Sequence, residues 1–208
     1  MTRRFVLATL MLALAMAVSP PQGRAADGDG DGLDDAVDPC TNVAAVSIDV
    51  PKLRIRKVDD AGGGRIRFSG TLAVPSTPAI DPVAKGLRLV LRDAAGALTA
   101  DIAIPPGVFD PDTRRGWFEN VSGRTFRYRD PEGLAGGIEK VVVKHQLQAA
   151  GLLKVIVFGR HGLFPLPEVL PVVATVVIDA PVATTGQCGE GTLGACVFRN
   201  EGRKLICR

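Results

Sequence analysis

Residues 52–58 read Lys52-Leu53-Arg54-Ile55-Arg56-Lys57-Val58, and the alternation in them decides the fold class. Leu53 and Ile55 fall on one side of an extended chain and Arg54 and Arg56 on the other, as in a strand with one wet face. Asp59 to Gly64 is a turn, and Arg65 to Val74 returns with the same alternation, completing a hairpin. Further along, Gly86 to Arg92 and Ala97 to Ile104 flank Asp93-Ala94-Ala95-Gly96 as a second hairpin. Gly137 to Gln146 and Leu152 to Arg160 flank Gln148 to Gly151 as a third. Arg124 to Arg129, with Phe126 and Tyr128 on one face, and Val172 to Asp179 add two more strands.

These Val-rich runs are short, β-branched and bounded by Gly or Pro, whereas helices need ten or more residues and prefer unbranched side chains. Fifteen prolines and 24 glycines also oppose long helices. The expectation is an all-β chain: an antiparallel β-sandwich-like domain of roughly eight to ten strands. An outer-membrane barrel is disfavoured, since aromatics make up only 5% of the chain and such barrels carry aromatic girdles. One connector, Pro105 to Gly123, is long for its role and carries Asp110, Asp112, Arg114, Arg115, Trp117 and Phe118. Long loops on rigid β-scaffolds often bind ligands. The simpler expectation is that Trp117 and Phe118 plug the edge of the core.

The first 25 residues have the layout of a secretory signal. Arg3 and Arg4 precede an uncharged apolar run, Phe5 to Val18, and Gly23-Arg24-Ala25 offers small residues for cleavage. That run falls short of the ~20 residues that span a bilayer, so no membrane span is expected in the mature chain. Residues 26–45 then form an acidic loop and connector, and residues 46–208 the β-rich domain. Removing the three leader arginines leaves 22 basic and 22 acidic residues. Six of the acids lie between Asp27 and Asp38, so the β-rich remainder carries 22 basic against 16 acidic residues. The surplus favours acidic surfaces and is no footprint of nucleic-acid binding.

Cys40, Cys188, Cys196 and Cys207 fit an exported protein with two disulfides. Four cysteines permit three connectivities. Cys196 to Cys207 reads as a hairpin turning at Glu201-Gly202, which favours Cys196–Cys207 and leaves Cys40–Cys188. A tight two-residue turn would nevertheless put that pair at a hydrogen-bonded position, where side chains sit farther apart. A zinc site is a weaker reading, because there is no C-x-x-C pair and only His145 and His161 could assist.

The acidic loop is Asp27-Gly-Asp29-Gly-Asp31-Gly32-Leu33-Asp34-Asp35-Ala-Val-Asp38-Pro39-Cys40. Counted from Asp27, carboxylates fall at positions 1, 3, 5, 9 and 12, with Gly32 at position 6 and the Leu33 carbonyl at 7. That is the ligand order of an EF-hand loop, which offers a hard cation the six to eight oxygens it wants. The flanks supply no entering or leaving helix. The pattern D-x-D-x-D-G-x-x-D-x-x-D-x-C instead resembles a thrombospondin type 3 repeat, every fixed position being met by Asp27, Asp29, Asp31, Gly32, Asp35, Asp38 and Cys40. The resemblance implies calcium as cofactor, held by Asp27, Asp29, Asp31, Leu33, Asp35 and Asp38, with the cysteine tying the loop down. Such repeats usually stack and share ions; a single copy implies weak affinity, on the order of 10⁻⁴–10⁻³ M. The stretch Trp117 to Asp130 is loosely similar to β-domains of secreted bacterial proteins that carry type 3 repeats, and this transfers no activity.

No nucleophile elbow, H-E-x-x-H, P-loop or dinucleotide fingerprint is present. His145 and His161 lie in or beside strands, and the Asp110/Asp112 pair is not distinguished from other carboxylates. Asn120-Val-Ser122 matches a glycosylation acceptor. The expected function is that of a secreted, periplasmic or cell-surface non-enzymatic protein that binds calcium and acts structurally or through a surface interaction. Its partners would be the calcium ion and an extracellular protein or glycan. The alternative is a polysaccharide-binding β-sandwich using the 105–123 loop and exposed arginines.

Overall fold

The computed structural model describes residues 27, 34, 35, 38–40, 46–56, 62–183 and 185–208. The signal-like leader, most of the acidic loop, the connector Thr41 to Ala45 and the tip of the first hairpin lie outside the described residues. The alternating segments are strands, as expected: β1 Ile48–Arg56, β2 Gly64–Ala73, β3 Leu87–Arg92, β4 Leu98–Ile104, β5 Gly116–Glu119 and β6 Thr125–Arg129. They are followed by β7 Ile138–His145, β8 Leu152–Gly162, β9 Val172–Val177, β10 Cys188–Leu193, β11 Cys196–Arg199 and β12 Lys204–Cys207. One helical turn, α1 Pro82–Lys85, is capped by the Asp81 carboxylate, which accepts the Ala84 N–H at 3.0 Å.

The strands form two antiparallel sheets packed as a sandwich. The larger runs β11-β12-β1-β2-β8-β7-β6-β5 and the smaller β10-β9-β3-β4. Residues at every second position point inward, so Leu53, Ile55, Phe68, Val155 and Val157 of the larger sheet share one core with Leu87, Leu89, Leu91 and Val176 of the smaller. β1 starts earlier than its alternation suggests, at Ile48, because a bulge between Asp49 and Lys52 carries Val50 and Pro51. Proline has no N–H for a ladder and is at home at such a break.

The segment expected to be a long connector is organised by sheet hydrogen bonds. Phe109 N–H donates to the Trp117 carbonyl at 2.7 Å, Trp117 N–H to the Gly107 carbonyl at 2.9 Å, and β5 pairs with β6. Trp117 is fully buried, its indole N–H donating to the Pro105 carbonyl at 2.9 Å and its ring tilted against Tyr128 with centroids 5.4 Å apart. The core-plug reading of this tryptophan therefore holds. Tyr128 in turn donates to the buried Asp130, and desolvation, then that neighbouring carboxylate, pushes its phenol pKa up.

Two disulfides join Cys40 to Cys188 and Cys196 to Cys207, the connectivity the hairpin reading favours. The hairpin's turn spans residues 200–203 with Asn200, Glu201 and Gly202 all at positive φ. Directly beyond the bridge, Arg208 N–H donates to the Ala195 carbonyl, so the Cys196/Cys207 pair occupies a non-hydrogen-bonded position with Cα atoms 4.0 Å apart. The four-residue turn thus removes the obstacle that a two-residue turn would have raised.

Candidate functional site

Of the residues expected to hold calcium, Asp27, Asp35 and Asp38 are described, while Asp29, Asp31 and Leu33 lie outside the described residues. Asp27 is exposed, Asp35 half-buried and Asp38 only 2% exposed. Asp38 N–H donates to the Asp34 carbonyl at 2.9 Å, and its Oδ1 accepts the Cys40 N–H at 2.9 Å. Two residues on, Cys40 is bonded to Cys188 at the start of β10, and Ala183 N–H reaches back to the Pro39 carbonyl at 3.0 Å. Cys40, Cys188, Val177 and Ala183 form a small buried cluster separate from the main core. The closing end of the acidic loop is therefore built into the smaller sheet. Its donors are all oxygens, the chemistry a hard cation requires. Among the described residues no three of His, Cys, Asp and Glu gather closely enough to hold a metal.

The remaining candidates are engaged locally. Asp110 accepts Asp112 N–H at 2.9 Å and Thr113 Oγ1–H at 2.8 Å; these bonds, the backbone one first, hold its carboxyl below the usual range, the reverse of what a general acid needs. Asn120 Oδ1 accepts the Arg124 and Thr125 N–H groups and so caps the β5–β6 turn. His145 is half-buried, and desolvation, then the charge of Arg124, lowers its pKa. His161 Nε2 lies 3.1 Å from Glu139 Oε1, while Arg160 Nε meets Glu139 Oε2 at 3.0 Å.

That cluster borders a feature the sequence reading did not single out. On the outer face of the larger sheet lies an open groove of about 630 Å³ with Val142, Ile156 and Phe158 on its floor and Arg67, Arg129 and Lys140 on its walls. The signal was present in the strands themselves, where Arg54/Arg56, Arg65/Arg67 and Arg127/Arg129 each recur with period two. What a single strand does not disclose is that these pairs share one sheet.

Comparison of the chain with protein-family models, curated proteins and solved structures finds no match. The fold and the geometry above define the class: a disulfide-braced β-sandwich of two antiparallel sheets. Among the described residues no helix is long and apolar enough to cross a membrane.

Proposed function

We propose that the chain is an exported, non-enzymatic calcium-binding protein whose sandwich serves as a surface-interaction module. The observation that carries this reading is the anchoring of Asp38-Pro39-Cys40 to the smaller sheet by a disulfide and by the Ala183–Pro39 hydrogen bond. Asp27, Asp29, Asp31, Asp35 and Asp38 would hold the ion with their carboxylates, and Leu33 with its carbonyl. Calcium supplies the positive charge that lets these acids crowd together; the chain supplies a fixed exit. Two disulfides suit an oxidising compartment, which agrees with export by the leader-like first 25 residues. The local engagement of Asp110 and Asn120 supports a non-catalytic role for the 105–123 segment.

Isothermal calorimetry on the oxidised chain tests this directly. Calcium should bind near one equivalent with a Kd on the order of 10⁻⁴–10⁻³ M. Asp31→Ala should abolish the signal, since position 5 is a central ligand. Unchanged affinity in that variant would refute the ligand assignment.

A further inference from the structure

We infer that the outer face of the larger sheet is a binding track for an acidic polysaccharide. Cross-strand register lines up the cations in rows. In the first row Arg199 stands opposite Lys204, Lys204 opposite Arg56, Arg56 opposite Arg65, and Arg65 opposite Arg160. Five adjacent strands thus carry a continuous line of positive charge, roughly 20 Å long at the usual strand spacing. In the next row Arg54 is opposite Arg67, Arg67 opposite Phe158, Phe158 opposite Lys140, and Lys140 opposite Arg129. Lys154 and Lys144 face each other farther along.

Like charges placed directly opposite one another destabilise a sheet, and a bound polyanion would relieve that repulsion. Among the described strand residues two acids share the face: Asp49 at one end, opposite Thr71, and Glu139, which pairs with Arg160. Among the described residues Arg160 alone of these cations meets a carboxylate within salt-bridge distance. Arg56, Arg65, Arg67, Arg129 and Lys140 are all exposed. The face therefore presents a cationic strip above a half-buried apolar floor of Val142, Ile156 and Phe158.

Charge complementarity selects a polyanion, and the make-up of the face favours a glycan. The predominance of arginine favours bidentate contacts with planar or tetrahedral oxyanions, carboxylate and phosphate alike, so the choice among polyanions rests on the rest of the face. Single-stranded nucleic acid needs several aromatic platforms, yet the groove offers only Phe158, over which the Arg160 guanidinium already lies at 5.1 Å. Among the described residues the floor side chains Ile156 and Phe158 are half-buried, and Val197 at the β11 edge is the exposed large apolar side chain in register with the rows, too little to enter a bilayer. The oxidising compartment that two disulfides suit is one in which acidic glycans are among the polyanions available. The proposal rests on the surface-interaction reading but is independent of the calcium loop, which closes against the opposite sheet.

The test is biolayer interferometry of the full oxidised chain against immobilised heparin, polygalacturonate and neutral dextran, with calcium and again in EDTA. Binding to heparin or polygalacturonate is expected, equal in calcium and EDTA, weakening steeply with salt and absent on dextran. R67E should weaken it at least tenfold and R67E/K140E should remove it. K85E, an equal change of net charge on the exposed turn α1, should leave it within twofold. If R67E fails to fold, as judged by its melting transition, R67Q/R129Q takes its place with the same expectation. Equal loss in R67E and K85E would overturn the proposal by making net charge the cause. Tighter binding to single-stranded DNA or to phosphatidylglycerol vesicles would overturn it in favour of those partners. No polysaccharide binding in either buffer, with calcium binding intact by calorimetry, would overturn this proposal and leave the calcium reading standing.

Discussion

Replacing Trp117 by alanine empties the site of the bulkiest fully buried side chain among the described residues and leaves the Pro105 carbonyl without its indole partner. Truncation of a buried aromatic costs about 3–5 kcal/mol, read as a lower denaturant midpoint. Because the side chain faces inward, Trp117→Ala should leave polysaccharide binding of the folded fraction unchanged. Asp101 behaves differently. Arg88 donates to both of its oxygens at 2.7 Å and holds its carboxyl below the ordinary value of 3.8. A depressed acid contributes stability that is present above its unfolded pKa and lost as pH falls through the folded one. Asp101→Asn should therefore be destabilised at neutral pH, by under about 1 kcal/mol for a pair this exposed. The gap to wild type should begin to narrow below pH 3.8 and close once the pH falls past the folded value, as followed by urea titrations. A gap that persisted at acid pH would show that packing, not charge, links the pair.

At the scale of elements, most strands were legible because one wet face writes period two into the chain: Leu53/Ile55 against Arg54/Arg56 requires no partner to be read. β10 was not, since Cys188-Gly-Glu-Gly-Thr-Leu193 has two glycines where strands usually carry bulk. Those glycines are there for contact: a Cβ on Gly189 would meet the Val46 carbonyl at 2.6 Å, and one on Gly191 would meet Ile48 at 2.8 Å. β5 is four residues long and offers no alternation to count. A second glycine cluster makes a prediction. A Cβ on Gly159 would lie 2.8 Å from the Gly137 carbonyl and 2.9 Å from the Phe164 ring. Gly159→Ala should lower stability by about 1–3 kcal/mol, as overpacking does, measured by chemical unfolding. The disulfides should also differ. Cys40–Cys188 closes a separation of 148 residues and Cys196–Cys207 one of 11. On chain entropy the first constrains the unfolded chain more, so Cys40→Ser/Cys188→Ser should cost more than Cys196→Ser/Cys207→Ser, within the usual ~2–5 kcal/mol for a native bridge. Equal costs would mean that local packing outweighs loop closure.

Taken as a whole molecule, the sandwich separates two chemistries. The smaller sheet receives the end of the acidic loop through Cys40, while the larger sheet turns its cations outward on the other side. The acidic pattern was visible because its aspartates lie within a few residues of one another, at the spacing of a calcium ligand order. The cationic face was not, because it needs β2 to pair with β8, joining Arg67 to Phe158 across some ninety positions, and no local pattern encodes that partner. The direct test of the central claim, that calcium at the acidic loop is coupled to the sandwich, is thermal unfolding of the oxidised chain with and without ~10 mM calcium. Binding at the affinity expected for a single loop adds about 1.4–2.7 kcal/mol. That should raise Tm by roughly 3–10 °C, and Asp31→Ala should show no rise. An unchanged Tm in the wild-type chain would contradict the account and reduce the loop to an acidic linker.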